Sequence, residues 1–96
     1  MTFAVNVRNT AATFISTVPE KSRRLITIAL SGLEDNPFPG TGGDKERIVL
    51  RGGKELFRLH ISHSFTAFYS IDKENRIVRV HEVLSIEQAH KKYGRS

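Results

Sequence analysis

The chain has 96 residues, 39% of them hydrophobic, enough for one small domain over residues 1–96 whose core closes with little to spare. Having no cysteine, it excludes disulfides, thiolate zinc sites and a cysteine nucleophile; no apolar run approaches the ~18 residues of a membrane span and no signal-peptide layout opens the chain, so a soluble cytoplasmic protein with no membrane partner is expected. Of the formal charge of +5, residues 1–46 contribute nothing, with five Lys or Arg against five Asp or Glu, while residues 47–96 hold ten against five and all four histidines; a basic half suits a polyanion or an acidic protein partner, or solubility alone.

Phe3 to Val7 (FAVNV) alternates apolar and polar residues and predicts a strand. Asn9 is placed to cap a short helix with Ala11, Phe14, Ile15 and Val18 on one face. Thr17 and Glu20 form a T-x-x-E capping pattern around Pro19, opening a second helix to about Leu33. Its buried side is expected to be Leu25, Ile26, Ala29, Leu30 and Leu33, with Lys21, Arg23 and Arg24 in water. Asn36 to Asp44 (NPFPGTGGD) is a loop, stopped by two prolines and loosened by three glycines. RIVLR (Arg47 to Arg51), a turn at Gly52 and Gly53, and ELFRLHI (Glu55 to Ile61) read as a hairpin. FTAFYSI (Phe65 to Ile71) follows Ser62 to Ser64, and RIVRVHEVL (Arg76 to Leu84) follows the polar turn Asp72 to Asn75. Ser85 and Gln88 make a capping pattern for a last helix with Ile86, Ala89 and Tyr93 on one face and Gly94 at its end. The segregated order predicts an α+β domain, two N-terminal helices packed on one face of a mostly antiparallel four- to five-stranded sheet, with a short C-terminal helix.

Turns centred on His63 and between Lys73 and Glu74 set a register. One face then stacks Leu59, Ala67 and Val80 beside Phe57, Tyr69 and Val78, and should meet the helices. The other stacks His60, Thr66 and His81 in one row and Arg58, Phe68 and Arg79 in the next. Histidine titrates near neutrality and arginine grips a phosphate while staying charged. Such a face supplies what metal-free RNA cleavage needs: a base for the 2′-hydroxyl, an acid for the leaving oxygen, and cations for the phosphate. Phe68 could stack on an unpaired base. The plainer reading is a solvated polar sheet face. No metal site is expected, because Glu82, the nearest third ligand for the histidines, points to the other face at this register. His63 and His90 read as solvated, the glycines at 40, 42 and 43 do not fit a phosphate-binding loop, and no Ser-His-Asp arrangement is legible.

The order of elements and several motifs together resemble the RelE/ParE toxin superfamily of toxin-antitoxin systems. The motifs are D-N-P-F-P-G at Asp35 to Gly40, L-R-G at Leu50 to Gly52, F-R-L-H-I at Phe57 to Ile61, and an aromatic-x-x-x-Y strand at Phe65 to Tyr69. The resemblance covers nearly the whole chain. It implies a cognate antitoxin, acidic and partly disordered, and in the RelE branch cleavage of mRNA on the ribosome without metal or other cofactor. Position by position, it makes Arg58 and His60 the basic pair at the scissile region and Tyr93 the C-terminal tyrosine. Arg51, Arg79, Thr66 and Phe68 would complete the RNA-binding surface, and His60 and His81 would be acid and base. That branch usually carries a Y-R pair where this chain has Phe65-Thr66, and a basic segment where it has Leu84-Ser85-Ile86. The ParE branch, which binds DNA gyrase, lacks that arginine, so a non-nucleolytic protein binder or an inactive relative is the alternative.

Overall fold

The computed structural model describes residues 2–40 and 43–93. Among them the chain forms β1 (Ala4–Val7), α1 (Asn9–Thr17), α2 (Glu20–Ser31), a 3-10 turn (Gly32–Glu34), β2 (Lys45–Val49), β3 (Glu55–Ile61), β4 (Phe65–Asp72), β5 (Ile77–Ser85) and α3 (Ile86–Tyr93). The expected α+β class and the segregation of elements are both observed. One sheet runs in the order β1-β5-β4-β3-β2. β1 lies parallel to β5, and the other pairs are antiparallel. The two helices therefore carry the chain from one edge of the sheet to the other. Among the described residues no helix is long and apolar enough to cross a membrane.

Alternation on the strands decides which face the helices cover. Phe57, Leu59, Ala67, Tyr69, Val78, Val80 and Val83 pack with Ala11, Ile26, Leu30 and Leu33. Phe57 and Tyr69 stack as a cross-strand pair, ring centroids 5.6 Å apart. The Tyr69 hydroxyl donates to the Pro37 carbonyl at 2.7 Å, and Phe38 meets Phe3 edge-on, so the proline-rich loop is pinned to the core. Thr41, Gly42 and Gly94, part of the expected loop and helix end, lie outside the described residues.

Several local expectations are corrected. Leu25 is 45% exposed and Ile28 69%: the seam of α2 follows Ile26, Ala29, Leu30 and Leu33, which leaves Leu25 a step off its edge. The T-x-x-E box does not form. Pro19 is the residue before α2, and the Thr17 hydroxyl turns back to the Phe14 carbonyl at 2.7 Å. Asn9 begins α1 as its first residue, and Arg8 precedes it with no side-chain cap. By contrast Ser85 and Gln88 do form their box, Gln88 N–H donating to Ser85 Oγ at 3.2 Å and Ser85 N–H to Gln88 Oε1 at 3.1 Å.

The β3–β4 hairpin has the predicted register, with Arg58 opposite Phe68 and His60 opposite Thr66. The β4–β5 hairpin does not. Its loop holds Lys73 to Arg76 between the pair Asp72 and Ile77, and Arg76 takes a left-handed φ of 58°. A bulge follows, so that Tyr69 faces Val80, Phe68 faces Glu82 and Thr66 faces Leu84. His81 is the extra residue at that bulge. Neither of the two three-residue polar rows expected across β3, β4 and β5 exists beyond its β3–β4 half.

Candidate functional site

The sheet face turned away from α1 and α2 is where the sequence places its chemistry, and the capping box at Ser85 turns α3 back over part of it. Tyr93 lies against Phe68 with ring centroids 4.1 Å apart, and its hydroxyl donates to Glu82. Lys92 donates to the same carboxylate at 2.8 Å. Phe68 is 0% exposed and Thr66 1%, so Phe68 is a covered platform and not an open surface for a base. Thr66 donates to the Leu59 carbonyl at 3.3 Å. Burial raises the Tyr93 hydroxyl far above its usual range, reinforced by the Glu82 carboxylate. Burial opposes ionisation of Glu82, but the bonds from Lys92 and Tyr93 prevail and hold its carboxyl below the usual range. The bulge brings Glu82 to this face, correcting the expectation that it points the other way.

A second cluster spans β2 and β3. Glu46 lies opposite Arg58 in the register, and Arg58 Nη2 donates to Glu46 Oε2. His60 Nε2 lies 3.3 Å from Glu46 Oε1. Arg58 is 6% exposed, and its hydrogen bond is the largest of the influences that hold the Glu46 carboxyl below its usual value. The row Glu46, Arg58, Phe68 and Glu82 crosses the sheet in register. Arg58 and Tyr93 therefore flank Phe68, with His60 one same-face position along β3.

The third cluster sits at the bulge. His81 Nε2 lies 2.8 Å from Ser70 Oγ, and Arg8 Nη1 lies 3.2 Å from His81 Nδ1. A guanidinium only donates, so Nδ1 must accept and the ring is neutral with its proton on Nε2, directed at Ser70. Burial pushes the His81 pKa down from 6.5, and the positive charges of Arg8, Lys54 and Arg79 push it further. Arg79 donates to Asp72 at 3.3 Å. Arg51 is exposed on the β2–β3 turn beside Gly52 and Gly53, whose φ values of 89° and 84° suit only glycine.

Arg58, His60 and Tyr93 thus share one patch, while His81 is drawn toward Arg8 and Ser70 and Arg79 toward Asp72. Glu46, Arg8 and Ser70 were not singled out in the sequence. Glu46 precedes the predicted strand Arg47 to Arg51, and a strand starting at Lys45 would have set it opposite Arg58. No group of three His, Cys, Asp or Glu placed to hold a metal exists among the described residues.

No family model matches the sequence, and no curated protein matches it. Solved structures do match in fold. A chain of the archaeal RelE-RelB complex from Pyrococcus horikoshii OT3 superposes with a TM-score of 0.73 at 18% identity, covering 88% of this chain and 96% of that one. A chain of the toxin-antitoxin complex RelBE2 from Mycobacterium tuberculosis gives 0.74 at 15% identity, covering 88% and 99%. A mutant of the E. coli toxin RelE in the free state gives 0.63 at 18% identity, covering 94% and 90%. The chain has the fold of these RelE structures, as its motifs led us to expect.

Proposed function

We propose that this chain is the toxin of a toxin-antitoxin pair, a RelE-type ribosome-dependent mRNA endonuclease acting in the cytoplasm and restrained by a cognate antitoxin. The observation that carries the reading is the patch of Arg58, His60 and Tyr93 on the outer sheet face of a RelE-like fold. Cleavage through a 2′-hydroxyl needs a base, an acid and a cation. Glu46 accepts from His60 Nε2 and orients the ring, which leaves Nδ1 to take the 2′-hydroxyl proton. Tyr93 stays protonated through the neutral range; turned off Glu82, its single hydroxyl proton goes to the leaving 5′-oxygen, and the phenolate regains a proton from water. Arg58 supplies positive charge at the phosphate. Thr66 and Phe68 form the floor beneath these groups, and Arg51 widens the basic rim.

The antitoxin expected here is acidic and partly disordered, folding as an amphipathic segment on a basic surface. The exposed face of α2 offers one seat, a cleft lined by Glu20, Arg23, Arg24, Thr27 and Ile28, in which Arg24 pairs with Glu20. RelE-RelB and RelBE complexes among the structural matches support such a partner.

A second reading has its own support. Glu46 already neutralises Arg58, and Thr66 stands buried where the RelE branch carries an arginine. Both favour a non-nucleolytic toxin of ParE type, directed at DNA gyrase, or an inactive antitoxin binder. Induced expression with end-mapping of cellular mRNA separates the two. Cuts within codons on translated messages, absent in His60→Ala, support the first reading. Growth arrest with intact mRNA and trapped gyrase overturns it in favour of the second.

A further inference from the structure

We infer that the β5 bulge builds a second anion site, a subsite that grips one backbone phosphate of RNA through Arg8, Lys54, Arg79, Ser70 and His81, apart from the Arg58–His60 patch. The inference rests on the reading of the chain as an RNA-cutting toxin and names how that RNA is held. Four elements contribute: Arg8 from the β1–α1 junction, Lys54 from the β2–β3 turn, Ser70 from β4, and Arg79 and His81 from β5. The side chain of Arg8 bonds to a neutral ring, so its charge meets no carboxylate there. α1 begins at this point with no acidic residue in its first turn, which adds to the positive field.

The carboxylates nearby are already engaged. Asp72 accepts from Asn75 and Arg79, and Glu82 accepts from Lys92 and Tyr93. Arg8 and Lys54, with Arg79 shared with Asp72, bear on one half-buried imidazole and form a region of positive potential that a phosphate relieves. Ser70 Oγ accepts from His81, so its own proton is left for a phosphate oxygen. The Arg79 row is two residues from the Arg58 row along β4, about 7 Å. A single strand crossing both is held at two phosphates.

Occupancy also couples to protons. In the free protein Arg8, Lys54 and Arg79 disfavour the imidazolium, against a smaller pull from Glu82. A bound phosphate turns that repulsion into attraction and draws Arg8 away from Nδ1, so RNA binding takes up a proton at His81 as pH falls.

The test is binding of a short single-stranded 2′-O-methyl RNA, which cannot be cut, to the full chain at several salt concentrations. Arg8→Ala and, separately, Lys54→Ala each flatten the log-log salt slope, and the double variant flattens it by ~0.7, the loss of the one phosphate contact. Lys21→Ala, on exposed α2, leaves it unchanged. Lys54 is solvent-exposed, so its removal leaves the fold intact and keeps the test readable should Arg8→Ala unfold. Tightening of binding between pH 8 and pH 6 is smaller in His81→Gln. Wild-type slopes in both Arg8→Ala and Lys54→Ala overturn the subsite, even where mRNA cleavage is intact. Slopes altered as stated, with no cleavage of cellular mRNA, uphold the subsite and sink the nuclease reading instead.

Discussion

Tyr93 closes the outer face of the sheet over Phe68: the rings approach to 4.1 Å between centroids, and the phenol donates to Glu82 on the neighbouring strand. One side chain thereby joins α3, β4 and β5. Tyr93→Phe keeps the ring contact and loses a hydrogen bond to a carboxylate that is only 13% exposed, a loss of ~1.5 kcal/mol. Tyr93→Ala also uncovers Phe68 and costs ~2 to 3 kcal/mol. Urea unfolding of the two variants checks this, and equal midpoints would show that the ring does not hold α3 down. In the nuclease reading both variants lose cleavage, because both lack the acid.

Glu46→Gln separates stability from activity. The Glu46 carboxyl is held below its usual pKa, chiefly by the Arg58 hydrogen bond. The folded state therefore binds fewer protons, and this contribution is present above the unfolded value of 4.5 and lost as pH falls through the folded one. The side chain is 45% exposed, so the loss at pH 7 is discounted for solvent to ~1 kcal/mol. The variant should show a flatter acid limb in thermal unfolding between pH 6 and pH 3. It should also bind single-stranded RNA more tightly than wild type, since the charge on Arg58 is no longer neutralised. Weaker RNA binding would contradict the place given to Arg58.

These two clusters were only half legible in the sequence, and the reasons differ. The pairs of the β3–β4 hairpin followed from alternation and a short polar turn. Those of β4–β5 did not, because Arg76 adopts a left-handed conformation that its residue type does not announce, and the bulge at His81 leaves the apolar alternation readable on either side. The capping box at Ser85 was readable, yet capping says where a helix starts and nothing of the surface it lies on. The coverage of Phe68 by Tyr93 was hidden for that reason. Glu46 was missed because β2 begins before its apolar residues do.

Thr66→Arg restores in name the arginine of the RelE branch, and the structure argues against a gain. Thr66 is 1% exposed, beneath α3 and bonded to the Leu59 carbonyl. A long cation there overpacks the site and needs a partner it does not have, at a cost of at least ~3 kcal/mol. The expected outcome is a lower melting temperature and no added cleavage. A stable variant with raised activity would mean that α3 lifts readily from the sheet.

His81 should titrate below the ordinary histidine value, as burial and then Arg8, Lys54 and Arg79 disfavour its charged form. The folded chain then binds fewer protons at this group than the unfolded chain. Its contribution to stability is whole above the unfolded pKa of 6.5 and is lost as pH falls through the lower folded value. Arg8→Ala removes one of the opposing charges and the bond to Nδ1 together, so the ring should titrate closer to 6.5, and its Nε2–H should no longer be the enforced tautomer. Nuclear magnetic resonance of the imidazole ring reads both the midpoint and the tautomer. If His81 in the wild-type chain titrates at or above 6.5, or carries its proton on Nδ1, Arg8 does not fix this ring and the cation cluster at the bulge is not assembled in solution.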